Sequence, residues 1–240
     1  MLAVQLKPNP RLTLEELKGI APYGATTRWP AGFAIYERLA PADGIFVVRS
    51  GQIVLRNPLG SGRSFVPWVA TVGETFGGEG LQPNARYASG ARAESPSETL
   101  HLSSAQFSAL LREQPVAALA LVRQVMAERT TLLEKYGEHA TLTVEQRLVA
   151  ALVRLSTVEH GGTGPDRPMI SRRLLGELVG ATRESISLVL GRLSAEGLVE
   201  REGNGLVVVE PHRLAERLSS DARAVSRPAD VGPGRETRVS

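Results

Sequence analysis

The chain has 240 residues, 42% hydrophobic and 22% charged, with a formal net charge of +3 and no cysteine. The missing thiols exclude disulfides, thiolate zinc sites, Cys-ligated iron–sulfur clusters and Cys nucleophiles, and the length allows one or two domains with substantial cores. No run approaches the roughly 18 apolar residues that a membrane span needs. The first stretch, with Lys7, Arg11, Glu15, Glu16 and Lys18, lacks a secretory pattern, so a cytoplasmic chain without a membrane partner is expected. Of 28 basic residues only Lys7, Lys18 and Lys135 are lysines. Arginine is the better fork for phosphate and guanine, although genomic base composition explains the excess at least as well. Residues 170–218 carry seven Arg and seven Glu, so any basic patch there must come from placement.

In chain order, residues 11–20 read as a short helix capped by Thr13, with Glu16 three later. From Thr26 to Ser103 the pattern changes to short apolar runs: Phe33–Tyr36, Ile45–Val48, Ile53–Leu55, Phe65–Val72 and Leu100–Leu102. Turn residues separate them at Pro41–Gly44, Ser50–Gly51 and Asn57–Gly60. This spacing predicts a small antiparallel β-roll over roughly residues 25–105. His101, His139, His160 and His212 lie outside the strand region or at its end, so a cupin-type metal site in the roll is not expected. No Ser/His/Asp arrangement stands out either. The expectation is therefore no enzyme, no metal, no haem and no iron–sulfur cluster.

The stretch Gly73–Leu81, followed by Asn84–Ala88, is glycine-rich. Glycines let backbone N–H groups turn toward an anion, and Arg86 could close on a phosphate. Taken alone, a tight turn beside a surface arginine explains the stretch better. Ser104–Arg112 then reads as a short helix capped by Ser103 or Ser104, and Pro115 opens a long one. Leu119, Val122, Met126, Leu133 and Tyr136 follow a 3–4 spacing, with Arg129 in the one polar slot. That is a short coiled-coil seam, or a helix packed only on its own roll. His139–Thr143 is the expected hinge. Thr143 caps a helix over about 144–158, with Leu148, Leu152 and Leu155 inward and Arg147 outward. Gly161–Pro165 is a loop, and His160 beside it a surface residue.

Ser171 caps the next helix, whose Leu174, Leu175, Leu178 and Val179 repeat at helical spacing. Gly180–Ala181 interrupts it. Thr182 caps a second helix with Ile186, Val189, Leu190 and Leu193 as its buried stripe, and Arg183, Glu184 and Ser187 begin the exposed face. After Gly197, Leu198–Arg201 and Leu206–Glu210 flank Glu202–Gly205, where Asn-Gly is a strong hairpin signal. Helix, helix and hairpin make a winged helix-turn-helix. Past Leu218 no apolar pattern remains. A disordered tail is expected, and a basic arm adding nonspecific DNA affinity is the other reading.

Together, the run Asp43–Leu55, the glycine-rich cassette, Arg92–Glu94, Thr99–Leu102 and the helix-turn-helix resemble the cAMP receptor protein/fumarate–nitrate regulator family of bacterial transcription factors. The resemblance spans roughly residues 25–210. It implies an α+β chain in four parts: a cyclic-nucleotide-binding-like antiparallel β-roll (1–114), a dimerisation helix (115–138), a winged helix-turn-helix (139–218) and a disordered tail (219–240). It further implies a homodimer that reads palindromic double-stranded DNA at promoters, with RNA polymerase as a second partner. A small effector, cAMP or another, would sit against Gly77, Gly78, Glu79, Gly80, Leu81, Arg86, Tyr87, Thr130 and Thr131.

Four departures stand out. The family's cAMP-binding members carry Gly-Glu and then Arg-Ser in the cassette; the matching positions here read Gly77-Gly78, with Glu79 one place late, and then Arg86-Tyr87. The Thr-Ser pair that contacts adenine aligns with Leu132-Leu133. A site built for adenine edges loses selectivity without those partners. The roll then binds another ligand, binds cAMP weakly, or serves as an effector-independent scaffold. In the reading helix, Arg183 can take guanine O6 and N7, and Glu184 can accept from cytosine N4. This pair resembles that of family members whose half-sites resemble TGTGA. Glu184 can equally serve the helix dipole. Ser187 matches the serine of a Glu-x-x-Ser-Arg motif, but the arginine that follows is replaced by Leu188, which could contact a thymine methyl or merely pack. Ser171, Arg172, Arg173, Arg192 and, on the wing, Arg201 complete the DNA-facing set, with surface solvation as the alternative for the arginines. An interaction module built on a winged helix is the competing function. An enzyme fused to a helix-turn-helix is disfavoured by the missing histidines and cysteines.

Overall fold

The computed structural model describes residues 11–60, 63–156, 171–202, 205–208 and 210–217. Helix α1 (Leu14–Ile20) starts at Thr13, which forms a complete capping box with Glu16. Eight strands follow: β1 (Ala25–Trp29), β2 (Ala34–Tyr36), β3 (Gly44–Ser50), β4 (Ile53–Leu59), β5 (Arg63–Ala70), β6 (Thr75–Phe76), β7 (Gly90–Ala93) and β8 (Ser97–Ser103). They form two antiparallel sheets, ordered β1-β8-β3-β6 and β2-β7-β4-β5. The expected roll is present. The apolar runs anticipated five strands and the closing segments a sixth, but β1 and β6 carried no apolar run of their own.

Strand β3 shows why the roll is built this way. Successive strand residues face opposite sides, yet Ile45, Phe46, Val47 and Val48 are all buried. Phe46 and Val48 pack between the sheets with Ile53, Leu55, Trp68, Phe76 and Tyr87. Ile45 and Val47 pack on the other side with Ile20, Leu110, Ala118 and Leu121 of the helices. Strand β4 repeats the arrangement: Ile53 and Leu55 face inward, while Val54 joins Val66 and Val69 of β5 in the core of the C-terminal half. The predicted turn Asn57–Gly60 begins later than expected. Asn57, Pro58 and Leu59 stay in β4, opposite Phe65, Ser64 and Arg63. Strand β7 pairs with β4 only as far as Arg56. Pro58 therefore sits where the strand has an open edge and needs no N–H.

Helix α2 (Ser104–Glu113) starts at Ser103, capped through Gln106. Helix α3 runs from Pro115 to Thr141 with Pro at its start. It passes through the expected hinge at His139, and the break falls at Leu142, whose N–H still bonds Glu138. Helix α4 (Val144–Ser156) follows, with Thr143 accepting from the Gln146 N–H and Gln146 returning to the Thr143 N–H. Arg147 does not point outward as expected. Its guanidinium donates to the Leu142 and Val179 carbonyls at 2.7 and 3.1 Å. A cation there satisfies carbonyls that two helix ends leave unpaired.

Helices α5 (Arg172–Val179) and α6 (Arg183–Ala195) form the helix-turn-helix, and β9 (Val199–Glu202) pairs with β10 (Gly205–Val208) as the wing. Glu202 pairs with Gly205, so both belong to the strands. Residues 211–217 are helical and bury Leu214 in the same core, an element the sequence did not announce. His160, the loop 161–165 and the tail 219–240 lie outside the described residues.

The two halves are joined by more than the helix. Arg56 Nη2 lies 2.7 Å from Glu177 Oε2, with both side chains mostly buried. Glu177 also holds Arg173 at 3.1 Å, but Arg173 is exposed. Removing one partner of an enclosed ion pair strands the other, whereas an exposed pair contributes little. Glu177→Gln should therefore cost about 1–3 kcal/mol of stability in urea unfolding, and Arg173→Ala less than about 0.5 kcal/mol. Equal losses would mean that the contact with Arg56 carries no energy.

Candidate nucleic-acid interface and effector cassette

The helix-turn-helix follows from local chemistry. Ser171 Oγ accepts from the Leu174 N–H. Gly180 ends α5 in the left-handed conformation, φ 65°, which glycine adopts without a Cβ penalty. Thr182 then caps α6 by accepting from the Ser185 N–H. Leu174, Leu175, Leu178, Val179, Ile186, Val189, Leu190 and Leu193 are all buried. Locking these stripes fixes what α6 shows to solvent: Arg183, Glu184, Leu188, Gly191 and Arg192 are exposed and Ser187 is partly so.

Arg183, Glu184, Ser187 and Leu188 therefore share the N-terminal half of one free face. The Glu184 carboxyl is held below its usual range by a first-turn backbone N–H, then by the Thr182 hydroxyl, with Arg183 adding to both. It remains an ionised acceptor. Arg172 is exposed at the start of α5. Ser171 is committed to its cap, Arg173 to Glu177, and Arg192 lies 3.1 Å from Glu145 of α4. Arg201 is placed in β9 opposite Leu206.

The cassette is built differently from an open anion cradle. Gly77 has φ 72°, and the short 3-10 turn Gly78–Leu81 follows it. A Cβ at Gly80 would lie 2.2 Å from the Gly44 backbone, so the glycine allows two backbones to meet. A Cβ at Gly77 would touch Phe46, Tyr36 and Tyr87, and one at Gly78 would touch Val125 of α3. Leu81 is partly buried against the helix-side core. These glycines answer packing demands.

The polar groups of the cassette bond within the chain. Glu79 Oε1 accepts from the Ala88 N–H at 3.0 Å. Arg86 Nη1 donates to the Leu39 carbonyl at 2.7 Å. Tyr87 is buried, donates its hydroxyl to Asp43 Oδ1 at 2.8 Å, and stacks on Tyr36 with ring centroids 3.6 Å apart. Phe46 and Phe76 stack beside them at 5.0 Å. His101 falls in β8, the last strand of the roll, as expected. Its ring lies on Phe46 and its Nε2 is 3.3 Å from Asp43. Thr130 is exposed and back-bonds to the Met126 carbonyl, while Thr131 is buried. Leu133 points to solvent. Among the described residues, no group of three His, Cys, Asp or Glu side chains is placed to hold a metal ion.

Tyr36 and Glu128 belong to this site, and sequence reasoning did not single them out. Tyr36 closed an apolar run in β2, and Glu128 sits three residues after Val125 on α3, so Val125 and Glu128 turn toward the cassette together. Burial, then Glu79 and Glu74, push the Glu128 carboxyl up to about 8, against the pull of Lys135. Burial and Glu79 likewise raise the Tyr36 hydroxyl well above its usual range.

Two family models match the chain. A cyclic nucleotide-binding domain covers residues 26–114, and a Crp-like helix-turn-helix domain covers residues 146–217. The cAMP-activated global transcriptional regulator CRP of Salmonella typhimurium is 23% identical over 184 residues, covering 75% of this chain and 88% of that protein. The regulator Vfr of Pseudomonas aeruginosa is 26% identical over 170 residues, covering 68% and 79%. Two solved structures share the fold. The c-di-GMP responsive regulator CLP of Xanthomonas campestris has a TM-score of 0.66 at 23% identity, covering 82% of this chain and 99% of that one. FixK2 of Bradyrhizobium japonicum has a TM-score of 0.68 at 19% identity, covering 80% and 96%.

The cassette makes a pH-dependent prediction. The folded chain keeps the Glu128 proton up to about pH 8, and the unfolded chain releases it near 4.5. Between those values the folded state binds more protons, so this group lowers stability as pH rises. Glu128→Gln removes the effect. The variant should match the parent near pH 5 and exceed it by about 1–3 kcal/mol near pH 8 in denaturant unfolding. A constant difference across this range would contradict the assignment.

Proposed function

Because the chain belongs to the Crp/Fnr family of bacterial transcription regulators, we propose that it binds palindromic promoter DNA as a homodimer through the exposed N-terminal face of α6. The family consists of regulators rather than enzymes, and among the described residues no helix is long and apolar enough to cross a membrane. The observation that carries the reading is the division of α6: four apolar residues buried, with Arg183 and Glu184 free at the tip. A helix N-terminus presenting a bidentate donor and a carboxylate is chemically matched to guanine and cytosine edges in a major groove. The α3 stripe supports the dimer. Leu119, Val122, Met126, Leu133 and Tyr136 are all exposed in the single chain, at the spacing of a two-helix seam. A second copy would place two reading helices on two half-sites. The proposed site of action is the cytoplasm, with RNA polymerase as the partner met at the promoter.

Arg183→Ala should lose about 1–3 kcal/mol at a single guanine position and relax preference there, read by gel shift against base-substituted palindromes. In the same assay Met126→Glu with Leu133→Glu should leave only half-site affinity. Uniform weakening by Arg183→Ala on every sequence would make it a phosphate contact, and equal binding of scrambled DNA would sink the reading as a whole.

A second reading concerns the roll. Known relatives are described as cAMP-activated or c-di-GMP responsive. Here Arg86 and Glu79 are engaged within the chain, and Tyr36 and Tyr87 fill the space beside Gly77. We propose that the roll does not take cAMP in the family's manner, and that any effector is different in kind. Calorimetric titration should show no low-micromolar cAMP binding. Binding at that level, lost in Arg86→Ala, would overturn this reading.

A further inference from the structure

We propose that Leu188 sets this regulator's half-site apart by reading the C5-methyl group of one thymine; the proposal rests on the DNA-binding reading above. Leu188 is the exception on its helix. Ile186, Val189, Leu190 and Leu193 are buried, whereas Leu188 is 67% exposed and takes no part in any of the three cores. Packing therefore does not account for it.

Its surroundings favour an apolar contact. Leu188 lies one turn beyond Glu184 on the same face. Ser187 beside it is short. Gly191 follows three residues later, exposed, and a Cβ there would meet nothing in the chain. A mid-helix glycine is less stable than alanine, and nothing within this fold requires it. It clears the ground next to Leu188 for close approach by another molecule. The nearest charge beyond, Arg192, is drawn toward Glu145. The face thus runs from a charged tip, Arg183 and Glu184, to a smooth neutral patch.

Among major-groove base edges, the thymine methyl is the one apolar group on offer. Four residues of helix advance about 6 Å, and base pairs are spaced about 3.4 Å. The methyl should therefore lie within about two base pairs of the position read by Glu184. Burying one methyl against leucine is worth about a three- to tenfold change in affinity.

The test begins with in vitro selection of the preferred palindrome by the full chain. Each thymine is then replaced by uracil, symmetrically in both half-sites, which removes the methyl and leaves the hydrogen-bonding edge unchanged. At one position uracil should weaken binding by about three- to tenfold per half-site. Leu188→Ala should bind the thymine and uracil sites equally well, matching the parent on uracil. Leu188→Arg should move the selected base toward guanine. If uracil costs nothing at every thymine, or costs the parent and Leu188→Ala the same, this proposal fails while the DNA-binding reading stands. If no palindrome is selected, that reading falls and takes this one with it.

Discussion

Two sides of helix α3 are apolar, and a single chain covers only one. Ala117, Ala118, Ala120 and Leu121 are buried against Ile45, Val47, Leu100 and Leu102 of the roll. The small alanines let the helix lie close to the sheet, where longer side chains would hold it off. Leu119, Val122, Met126, Leu133 and Tyr136 remain outside. A stripe of that kind is what a second identical helix would cover. The same unbroken helix touches the cassette through Val125 and reaches the C-terminal half through Glu138, whose carboxylate takes both Arg154 nitrogens at 2.6 and 2.7 Å. Cassette, seam and reading domain therefore share one rigid element. A change in how α3 sits on the roll could not stay local to the roll.

The cassette keeps the family's backbone path but packs it densely. Its glycines still permit the tight backbone path, but the space they free is taken by Tyr36, Phe46, Tyr87 and Val125. Tyr87 stands where the family's cAMP-binding members carry serine. A serine would leave a small polar pocket, whereas the tyrosine ring is buried, stacked, and tied by its hydroxyl to Asp43. Leu39 is held at φ 66° beside it, its N–H bonded to the Tyr87 carbonyl and its carbonyl to Arg86. A bulky residue at positive φ is strained, and here the neighbouring bonds fix it in place. Glu79 lies next to this packing with its carboxylate already bonded to the Ala88 N–H, and Glu128 beside it is held protonated up to about pH 8.

What was legible in the sequence was mostly local. Thr13, Ser103, Thr143, Ser171 and Thr182 all cap as their spacing suggested, because a cap needs only its next three residues. The buried stripes of α5 and α6 followed from the 3.6-residue period, the wing from its Asn-Gly turn, and the α3 stripe from its 3–4 spacing. What escaped depends on distant partners. Arg147 reads as a solvent arginine until Val179, 32 residues away, supplies a carbonyl. Pro58 reads as a turn until Ser64 pairs with it at a half-open edge. Tyr36 and Glu128 become parts of one site only when β2, the cassette and α3 are folded together. For the same reason, the packing that Gly77, Gly78 and Gly80 permit against Phe46, Tyr36, Tyr87, Val125 and the Gly44 backbone shows only in three dimensions.

The reading helix carries the same lesson at smaller scale. Glu184 is steadied by Thr182 and by the backbone of its own first turn, so an acceptor for bases and a helix-dipole partner are one group in one place. Arg192 is drawn toward Glu145 and Arg173 toward Glu177. Cations that a linear reading assigns to phosphate thus begin from intramolecular partners, and any phosphate must compete for them. The charges free at the tip are few. In the proposed groove, discrimination would fall to side-chain shape as much as to charge, and α6 offers shape where Leu188 stands beside the bare backbone of Gly191.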